Sequence, residues 1–383
     1  MVSSTSKAST FYDCRTCSYV RLAMSTEAIR IYELLDICHT TNDFEAITPV
    51  HDLNPECTST NPELVVIFFH GIGYGENDEW KEAWTSTTSD RKRVCWPQEW
   101  LPADLATQNV NNVRILSLSY DSALLGANED VTDIGKNLVQ SLVSKSEYES
   151  LWEAPIVLVG YSFGGLVVKS LIVEVEKRVN ARVVNTIDRR AKRCCTKFLE
   201  NLKGTIFYGV PHTGGRENLK QYFVYESQRF NNAKGVRFAK SGILKNIEGF
   251  NRQMAALSVD FENAVEQTLI IYAFAEGQPL KRGEPVLVPF ASAQQLARRN
   301  HYLVEDANHL TICKPSSQNA MNYSLLKDVL AVVMKGTQRQ TTPQNTHAPN
   351  QQITHPPSQL GVLDPPSEIS SSSNETPELE ELR

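Results

Sequence analysis

Ile156-Val157-Leu158-Val159-Gly160-Tyr161-Ser162-Phe163-Gly164-Gly165 joins an apolar run to a G-x-S-x-G pentapeptide, and a helix-compatible segment, residues 166–177, follows at once. Strand, sharp turn and helix are the setting of a nucleophile elbow. Glycines flank the serine because it sits in a strained backbone conformation and because strand and helix approach closely. The pattern therefore predicts that Ser162 is a nucleophile, held exposed at the carboxyl end of a buried sheet.

Short apolar runs rich in β-branched residues recur on both sides of this elbow. They span residues 64–69, 113–120, 155–159, 205–210 and 269–275. Segments of helical periodicity lie between them. Strands that alternate with helices and are apolar on both faces indicate a parallel sheet covered on both sides. We predict an α/β protein with the α/β-hydrolase fold: a mostly parallel central sheet, helices on both faces and helical insertions that could cap the site.

The folded domain is predicted to span residues 28–335. Residues 1–27 are rich in Ser and Thr and predict a flexible leader, with an organellar transit peptide as the alternative. Residues 336–383 are rich in Gln, Thr, Pro and Ser and too polar to offset their ordering entropy, which predicts a disordered low-complexity tail. Within the domain, residues 174–202 and 215–266 exceed ordinary crossover lengths and are candidate cap or lid elements.

A histidine partner for Ser162 is expected late in the chain. A serine hydroxyl becomes a good nucleophile when an imidazole takes its proton and a carboxylate orients that imidazole. In this fold the acid and then the histidine follow the serine along the chain. His309 lies in a loop directly before the last helical segment, where the base is expected, with His301 and His212 as alternatives. Because His212 follows the predicted strand nearest to the elbow, we also expect it to line the pocket.

The acid is predicted to be Glu276, which directly follows the apolar run 269–275 and so occupies a strand end. Asp306 is the alternative, although its position three residues before His309 suits a role in shaping that loop. Asp121 also follows a predicted strand but precedes Ser162, which breaks the expected order. The predicted catalytic residues are therefore Ser162, Glu276 and His309.

Backbone N–H groups are expected to hold the oxyanion of a tetrahedral intermediate. Phe163, directly after the nucleophile, is one predicted donor. Ile72, in the glycine-containing loop after the first long apolar run, is the other, with Gly71 or Gly73 as alternatives. His70 and Gly71 are expected to line the pocket. This loop lacks the later glycine of a dinucleotide-binding motif and the lysine of a P-loop, so no nucleotide cofactor is predicted.

Composition narrows the function classes. The chain has 383 residues, 41% of them hydrophobic, and a formal net charge of −6, which allows a sizeable core and gives no reason to expect nucleic-acid binding. The eight cysteines have no secretory signal ahead of them, so we expect reduced thiols in an intracellular protein that is not secreted. Cys14 and Cys17 resemble half of a zinc site without the remaining ligands, and no metal is predicted.

Membrane contact, if it occurs, is expected to be peripheral. No apolar run approaches the roughly 20 residues that cross a bilayer. The locally basic segment 174–203 has two interpretations: a solvated helix face, or a patch that favours anionic lipid headgroups. The sequence makes no prediction of the oligomeric state.

Several motifs together resemble the serine-active-site-containing, lipase-like α/β-hydrolases. They are Phe69-His70-Gly71, Trp96-Pro97, Trp100-Leu101-Pro102, the elbow 160–165, Val210-Pro211-His212-Thr213-Gly214, Glu276, and His309 with Cys313-Lys314-Pro315. The likeness spans roughly residues 60–335. It implies an α/β-hydrolase fold, a Ser162, Glu276 and His309 triad, lipid or ester substrates, and a place at mitochondria, endoplasmic reticulum or other membranes, with the cytoplasm as the alternative.

We therefore expect a serine hydrolase that cleaves small-molecule or lipid carboxylic esters through an acyl-enzyme on Ser162, without a cofactor. Two other functions stay open on the sequence. An alcohol could replace water in the second step, which would make the protein an acyltransferase. A catalytically silent hydrolase fold could instead serve as a ligand-binding or protein-interaction module.

Overall fold

The computed structural model describes residues 50–57, 61–73, 78–122, 129–144, 146–183, 186–234, 242–248, 251–265, 269–297 and 299–341. The predicted leader, Cys14 and Cys17, and residues 342–383 of the predicted tail lie outside the described residues. The predictions made for them stay predictions.

Nine strands occur within the described residues. They are Val50–Asp52 (β1), Leu64–Phe69 (β2), Thr85–Thr87 (β3), Arg93–Cys95 (β4), Val113–Leu118 (β5), Ile156–Tyr161 (β6), Leu202–Tyr208 (β7), Ile270–Glu276 (β8) and His301–Val304 (β9). Seven of them form one sheet in the order β1-β5-β2-β6-β7-β8-β9, and β3 and β4 form a separate antiparallel pair. Only β1 runs antiparallel to its neighbour in the large sheet. All five predicted apolar runs lie in this sheet.

Helices connect these strands. They are Glu79–Glu82 (α1), Trp96–Glu99 (α2), Leu101–Ala106 (α3), Val131–Ser144 (α4), Phe163–Asn180 (α5), Thr186–Asn201 (α6), Glu217–Lys234 (α7), Gly242–Asn246 (α8), Arg252–Ala264 (α9), Phe290–Ala293 (α10) and Met321–Thr341 (α11), with a 3-10 helix at Ser146–Glu153. No helix in the described ranges combines the length and the apolar character needed to span a bilayer.

Both faces of the sheet are covered, as the uniformly apolar strands predict. Side chains alternate between faces along a strand. In β2, Val65, Ile67 and Phe69 pack into a core that includes residues of α4 and α5. Leu64, Val66 and Phe68 pack into a second core with residues of α3 and α11. This architecture confirms the predicted α/β-hydrolase fold.

The prediction that residues 174–202 form a cap is wrong. These residues complete α5 and then form α6, which packs against α5 and against the 3-10 helix that precedes β6. Phe198 of α6 meets Trp152 of the 3-10 helix edge to face, with 5.5 Å between ring centroids. Because apolar residues of α6 belong to the core, this helix lies on the body of the domain, near the end at which β6 begins.

Basic residues of the segment 174–203 are held by neighbouring carboxylates. Arg190 and Lys197 of α6 form ion pairs with Glu149 and Glu153 of the 3-10 helix. Lys177 of α5 pairs with Glu174 at 2.7 Å. Exposed pairs of this kind contribute little to stability. They agree with the interpretation of this segment as a solvated helix face, and contact with a lipid surface stays a prediction.

The second candidate cap, residues 215–266, forms α7, α8 and α9. Helix α9 packs against α5, and its Phe261 ring lies 6.5 Å from that of Phe207 in β7, between centroids. Helix α7 instead brings Tyr222 and Phe223 to the wall of a cavity beside the elbow. The last helix, α11, ends at Thr341, six residues beyond the predicted end of the domain at residue 335.

Candidate active site

The turn between β6 and α5 has the geometry of a nucleophile elbow. Ser162 has φ 51° and ψ −123°, a conformation that L-residues rarely adopt. Its N–H donates to the Tyr208 carbonyl at 2.9 Å, which ties the strained residue to β7. A Cβ atom on Gly164 would overlap the carbonyl oxygens of Phe69 and His70. Glycine at this position therefore allows the loop after β2 to lie directly against the elbow.

Three side chains from distant parts of the chain form a continuous hydrogen-bonded series. Ser162 Oγ lies 2.9 Å from His309 Nε2, and His309 Nδ1 lies 2.7 Å from Glu276 Oε2. A carboxylate can only accept, so the His309 proton belongs on Nδ1, and Nε2 is free to accept from the serine hydroxyl. Thus the structure brings together the three residues that the sequence predicts as nucleophile, base and acid.

Further contacts hold the acid and the histidine in place. The second oxygen of Glu276, Oε1, accepts the Val288 N–H at 2.9 Å. The Tyr161 hydroxyl donates to the His309 carbonyl at 3.0 Å, and Trp96 Nε1 donates to the Cys313 carbonyl at 3.0 Å. Sequence reasoning missed the role of Val288, because a backbone N–H leaves no residue-type signal. Trp96 belongs to one of the motifs that carry the family resemblance, and this hydrogen bond supplies a structural reason for the tryptophan.

The expectation that Ser162 is exposed is wrong, since only 1% of the residue is accessible. Glu276 and His309 are buried as well. Phe223 of α7 stands edge-on to the His309 ring, with 6.1 Å between centroids. Gly71 presses against the elbow from the other side, because a Cβ atom there would come within 3.3 Å of Ser162 Cβ. The loop after β2 therefore lies against the nucleophile, and α7 lies against its histidine partner.

The candidate oxyanion donors lie on either side of the serine. Phe163 is the first residue of α5. The N–H groups of a first helical turn have no intrahelical partner, and they lie at the positive end of the helix dipole. In the loop after β2, the Gly73 N–H donates to the Ser122 hydroxyl at 2.9 Å. Its use there removes Gly73 as a candidate. The Ile72 N–H meets no acceptor among the described residues, which leaves it available.

A cavity of about 270 Å³ opens beside the elbow. Its wall combines apolar residues with a few polar and charged ones: His70, Gly71, Ile72, Gly73, Glu79, Glu82, Ala83, Tyr161, Tyr222, Phe223, Leu310 and Lys314. A small, mostly apolar cavity with a few polar groups is typical of a site for a small molecule or for part of a larger one. His70 and Gly71 line it as predicted.

His70 is held as a neutral, structural histidine. Its ring stacks on Tyr120 at 4.2 Å between centroids, and its Nδ1–H donates to the Gly71 carbonyl at 2.9 Å. The Tyr120 hydroxyl donates to the His70 carbonyl. Burial lowers the pKa of His70 to about 4. These contacts fix the loop that carries Ile72.

His212 does not line this cavity, so that prediction is wrong. The residue is fully buried, and its ring meets the edge of Phe207 at 4.8 Å between centroids. Burial, followed by the nearby Lys169 ammonium, holds the pKa of His212 well below its ordinary value. The turn after β7, which carries His212, lies beside α9. There the Ser258 hydroxyl is 3.5 Å from the His212 carbonyl.

The other candidate partners of Ser162 lie elsewhere. His301 is in β9 and faces Phe290 at 5.6 Å between ring centroids. Asp306 and Asp121 are exposed. Within the described residues, no group of three or more His, Cys, Asp or Glu side chains is arranged to hold a metal ion.

Lys169 is a buried lysine on α5, and its Nζ donates to Ser258 Oγ at 2.9 Å. Burial lowers its pKa from 10.5 to about 7, and Glu262 only partly opposes this effect. The unfolded chain therefore takes up a proton as pH falls below 10.5, whereas the folded protein does so only near pH 7. Lys169 thus destabilises the fold increasingly as pH falls through this window, and the full cost is present below pH 7.

Replacing Lys169 by methionine is expected to raise the free energy of unfolding by about 3 kcal/mol at pH 6 and by about 1 kcal/mol at pH 9. Thermal or urea unfolding at both pH values measures this. Lys177→Met, at an exposed position of the same helix, is the control and should change stability by less than about 0.5 kcal/mol. A Lys169→Met protein that is less stable than wild type at both pH values would contradict this account.

Among families of known proteins, the one described as "Putative serine esterase" (DUF676) matches this chain over residues 59–244. Protein SERAC1 of Mus musculus is 28% identical over 292 residues, which cover 72% of this chain and 40% of the relative. Protein SERAC1 of Homo sapiens is 26% identical over 290 residues, with the same coverage of both chains. The chain thus spans about 40% of the length of these relatives.

Solved structures with similar folds include the mature Bacillus licheniformis lipase BlEst2, with a TM-score of 0.41 and 14% identity over 76% of this chain and 98% of that one. Phospholipase PlaB from Legionella pneumophila has a TM-score of 0.45 and 12% identity over 73% of this chain and 64% of that one.

Proposed function

We propose that this chain, which has the α/β-hydrolase fold, is a serine esterase that cleaves carboxylic esters through an acyl-enzyme on Ser162. One observation carries this proposal: Ser162 Oγ, the His309 ring and the Glu276 carboxylate are hydrogen-bonded in series, at 2.9 Å and 2.7 Å, on a strained elbow. A serine, a histidine and a carboxylate in this order are the requirement for nucleophilic acyl transfer.

In the first step Ser162 Oγ attacks the carbonyl carbon of the ester while His309 Nε2 takes the hydroxyl proton. The carbonyl oxygen becomes an oxyanion, for which the N–H groups of Phe163 and Ile72 are the proposed donors. Donors of this kind each contribute about 3 kcal/mol to transition-state stabilisation. The bond from carbon to the alcohol oxygen then breaks, and His309 gives its proton to the departing alcohol.

In the second step water replaces the alcohol. His309 takes a proton from the water, whose oxygen attacks the acyl carbon, and then returns that proton to Ser162 Oγ as the carboxylic acid leaves. Glu276 keeps the imidazole in the tautomer that presents a lone pair to Ser162, and its negative charge stabilises the imidazolium formed in each step. Both oxygens of the Glu276 carboxylate help to orient the imidazole. Oε2 accepts from His309 Nδ1–H, and Oε1 accepts from the Val288 N–H, which fixes the carboxylate in place.

The family match supports ester hydrolysis in general. It includes Ser162 and the loop that carries Ile72 but ends at residue 244, before Glu276 and His309. The assignment of these two residues therefore rests on the geometry of the site. The match to Protein SERAC1 covers 40% of that relative, so activities of the whole relative are not carried over.

The proposal predicts that the wild-type protein releases the free acid from a panel of ethyl esters of increasing acyl length. Phe223 forms part of the apolar cavity wall, so Phe223→Ala should lower kcat/KM about tenfold for the preferred acyl length, through the loss of about 1.4 kcal/mol of contact. Tyr225→Ala is the matched control, because Tyr225 lies two residues further along α7 and is 62% exposed.

Analysis of the products decides whether water or another alcohol accepts the acyl group. Free acid formed in equal amounts with ethanol is the expected result. Transfer of the acyl group to an added alcohol, with little free acid, would identify an acyltransferase instead. A folded wild-type protein that turns over no ester in the panel would contradict the proposal and favour a ligand-binding role.

A further inference from the structure

Tyr208, the last residue of β7, contacts two of the strands that carry the triad. Its carbonyl accepts the N–H of Ser162, which directly follows β6, at 2.9 Å. Its ring stacks on that of Phe274 in β8, with 4.7 Å between centroids, two residues before Glu276. The end of β7 therefore touches the segments that present the nucleophile and the acid.

The hydroxyl of Tyr208 leads to the loop that presents the base. It donates to the Asn322 carbonyl in the first turn of α11 at 2.6 Å. The side-chain amide of Asn322 then donates to the Ile312 carbonyl at 2.8 Å. The Ile312 N–H donates to the Asn308 carbonyl at 2.9 Å, which closes the turn that contains His309. Three successive hydrogen bonds thus connect Tyr208 to this loop.

Gly209, directly after Tyr208, brings the backbone of the same segment against the imidazole. It has φ 55°, a conformation that favours glycine. A Cβ atom at this position would lie 3.4 Å from His309 Nδ1 and 3.3 Å from Ile312 Cγ2. The segment after β7 therefore packs against both the catalytic ring and its loop.

The hydrogen bonds from Tyr208 lie in the interior of the domain. Tyr208 is 1% exposed, Asn322 is 4% exposed and Ile312 is fully buried. Burial raises the pKa of the Tyr208 hydroxyl well above its ordinary value, so this group stays protonated and acts as a donor. A buried carbonyl that loses its donor has no water to replace it, which favours movement of the segment that carries it.

We propose that Tyr208 is a positioning residue: its carbonyl holds Ser162, and its hydroxyl, through Asn322, fixes the loop that places His309 Nε2 within reach of Ser162 Oγ. This inference rests on the proposed esterase function and adds a residue to its machinery. Tyr208 acts through the backbone of the His309 loop, and its hydroxyl takes no part in proton transfer.

Tyr208→Phe tests this proposal, because it removes only the hydroxyl and keeps the ring and the carbonyl. We expect kcat for the preferred ester to fall about tenfold with KM within about twofold, since small displacements of a catalytic group slow the chemical step. The rate constant for phosphonylation by a fluorophosphonate should fall by a similar factor, because this reagent needs only a serine that the histidine activates.

Tyr323→Phe is the matched control. Tyr323 is a fully buried tyrosine one residue beyond Asn322, and its hydroxyl donates to Asp104 Oδ2 at 2.7 Å. Its variant loses a buried hydroxyl as well and should be less stable than wild type in urea unfolding. Both its kcat and its phosphonylation rate constant should stay within about twofold of wild type.

Asn322→Leu removes the next donor in the series and should also slow phosphonylation about tenfold. Because the two hydrogen bonds act in series, the double variant Tyr208→Phe/Asn322→Leu should fall little further than the slower single variant. Independent effects would instead multiply to about a hundredfold. Circular dichroism verifies that each variant is folded, and if Tyr208→Phe does not fold, Asn322→Leu alone decides the test.

The outcomes separate this inference from the proposed function. A folded Tyr208→Phe protein that is phosphonylated as fast as wild type would overturn the inference, since Tyr208 would then only stabilise the fold. An equal loss of rate in Tyr323→Phe, or multiplicative effects in the double variant, would overturn it too. A wild-type protein that is phosphonylated at Ser162 but hydrolyses no ester would contradict the esterase proposal, while the phosphonylation rates would still report on Tyr208.

Discussion

Replacement of Ser162 by alanine is expected to lower kcat for ester hydrolysis about 10⁶-fold, the scale seen when the nucleophile of such a site is removed. The hydroxyl that accepts the acyl group is lost, and neither His309 nor Glu276 can substitute for it. Alanine keeps the Cβ atom, so the elbow should retain its geometry. Initial rates on the preferred ester, with circular dichroism to verify folding, measure this effect.

The matched control is Ser170→Ala. Ser170 is a buried serine eight residues further along α5. Among the described residues, no hydrogen bond joins it to Ser162, Glu276 or His309. Its variant should keep its rate within a few-fold of wild type. Retention of more than about one-hundredth of the wild-type rate in Ser162→Ala would mean that another nucleophile carries the reaction.

Replacement of Glu276 by glutamine is expected to lower kcat about 10⁴-fold while changing the shape of the site very little. Both carboxylate oxygens act as acceptors, one from His309 Nδ1–H and the other from the Val288 N–H. An amide has only one acceptor oxygen. If the oxygen stays on the Val288 N–H, the amide NH₂ faces Nδ1 and favours the tautomer with its proton on Nε2, which cannot accept from Ser162.

In the opposite orientation the amide NH₂ opposes the Val288 N–H, and two buried donors are left facing each other, at a cost of about 1–3 kcal/mol. The kcat of Glu276→Gln, measured beside that of Glu305→Gln, tests this. Glu305 is an exposed carboxylate in the loop after β9, so its variant should behave as wild type. Equal rates for the two variants would show that Glu276 does not orient the histidine.

Much of this site could be predicted from the sequence because each catalytic residue carries a local signal. Ser162 lies in a G-x-S-x-G turn after an apolar run, and Glu276 directly ends another such run. His309 lies in the last loop before a long apolar helix. Chain order in this fold then relates the three, and parallel strands bring their carboxyl ends to the same edge of the sheet.

The burial of Ser162 and the direction of the His212 side chain could not be predicted from the sequence, because both depend on contacts between distant segments. Ser162 is buried where the loop after β2 lies against the elbow, and its partner His309 is covered by Phe223 of α7, some 60 residues later in the chain. Exposure of the serine was therefore predicted wrongly. His212 follows a strand end as a pocket residue should, but its ring turns towards Phe207 and the core. A strand end locates a residue at the edge of a sheet and does not fix the direction of its side chain.

The same reason explains the error over residues 174–202. Length alone suggested an insertion over the site, whereas the apolar face of α6, with Cys194, Cys195 and Phe198 buried, attaches this helix to the body of the domain. Helical periodicity predicts a helix in this segment but does not show which surface that helix covers. What excludes α6 as a lid is the place where its apolar stripe packs, against α5 and the 3-10 helix before β6, at the opposite end of β6 from Ser162.

The most direct test of the central claim is to treat the folded protein with a fluorophosphonate and identify the modified residue by peptide mass spectrometry. The account predicts a single phosphonylated side chain, Ser162, because only its hydroxyl is activated by His309. A folded protein that hydrolyses esters but is phosphonylated at another residue, or one that is not modified at all, would contradict it.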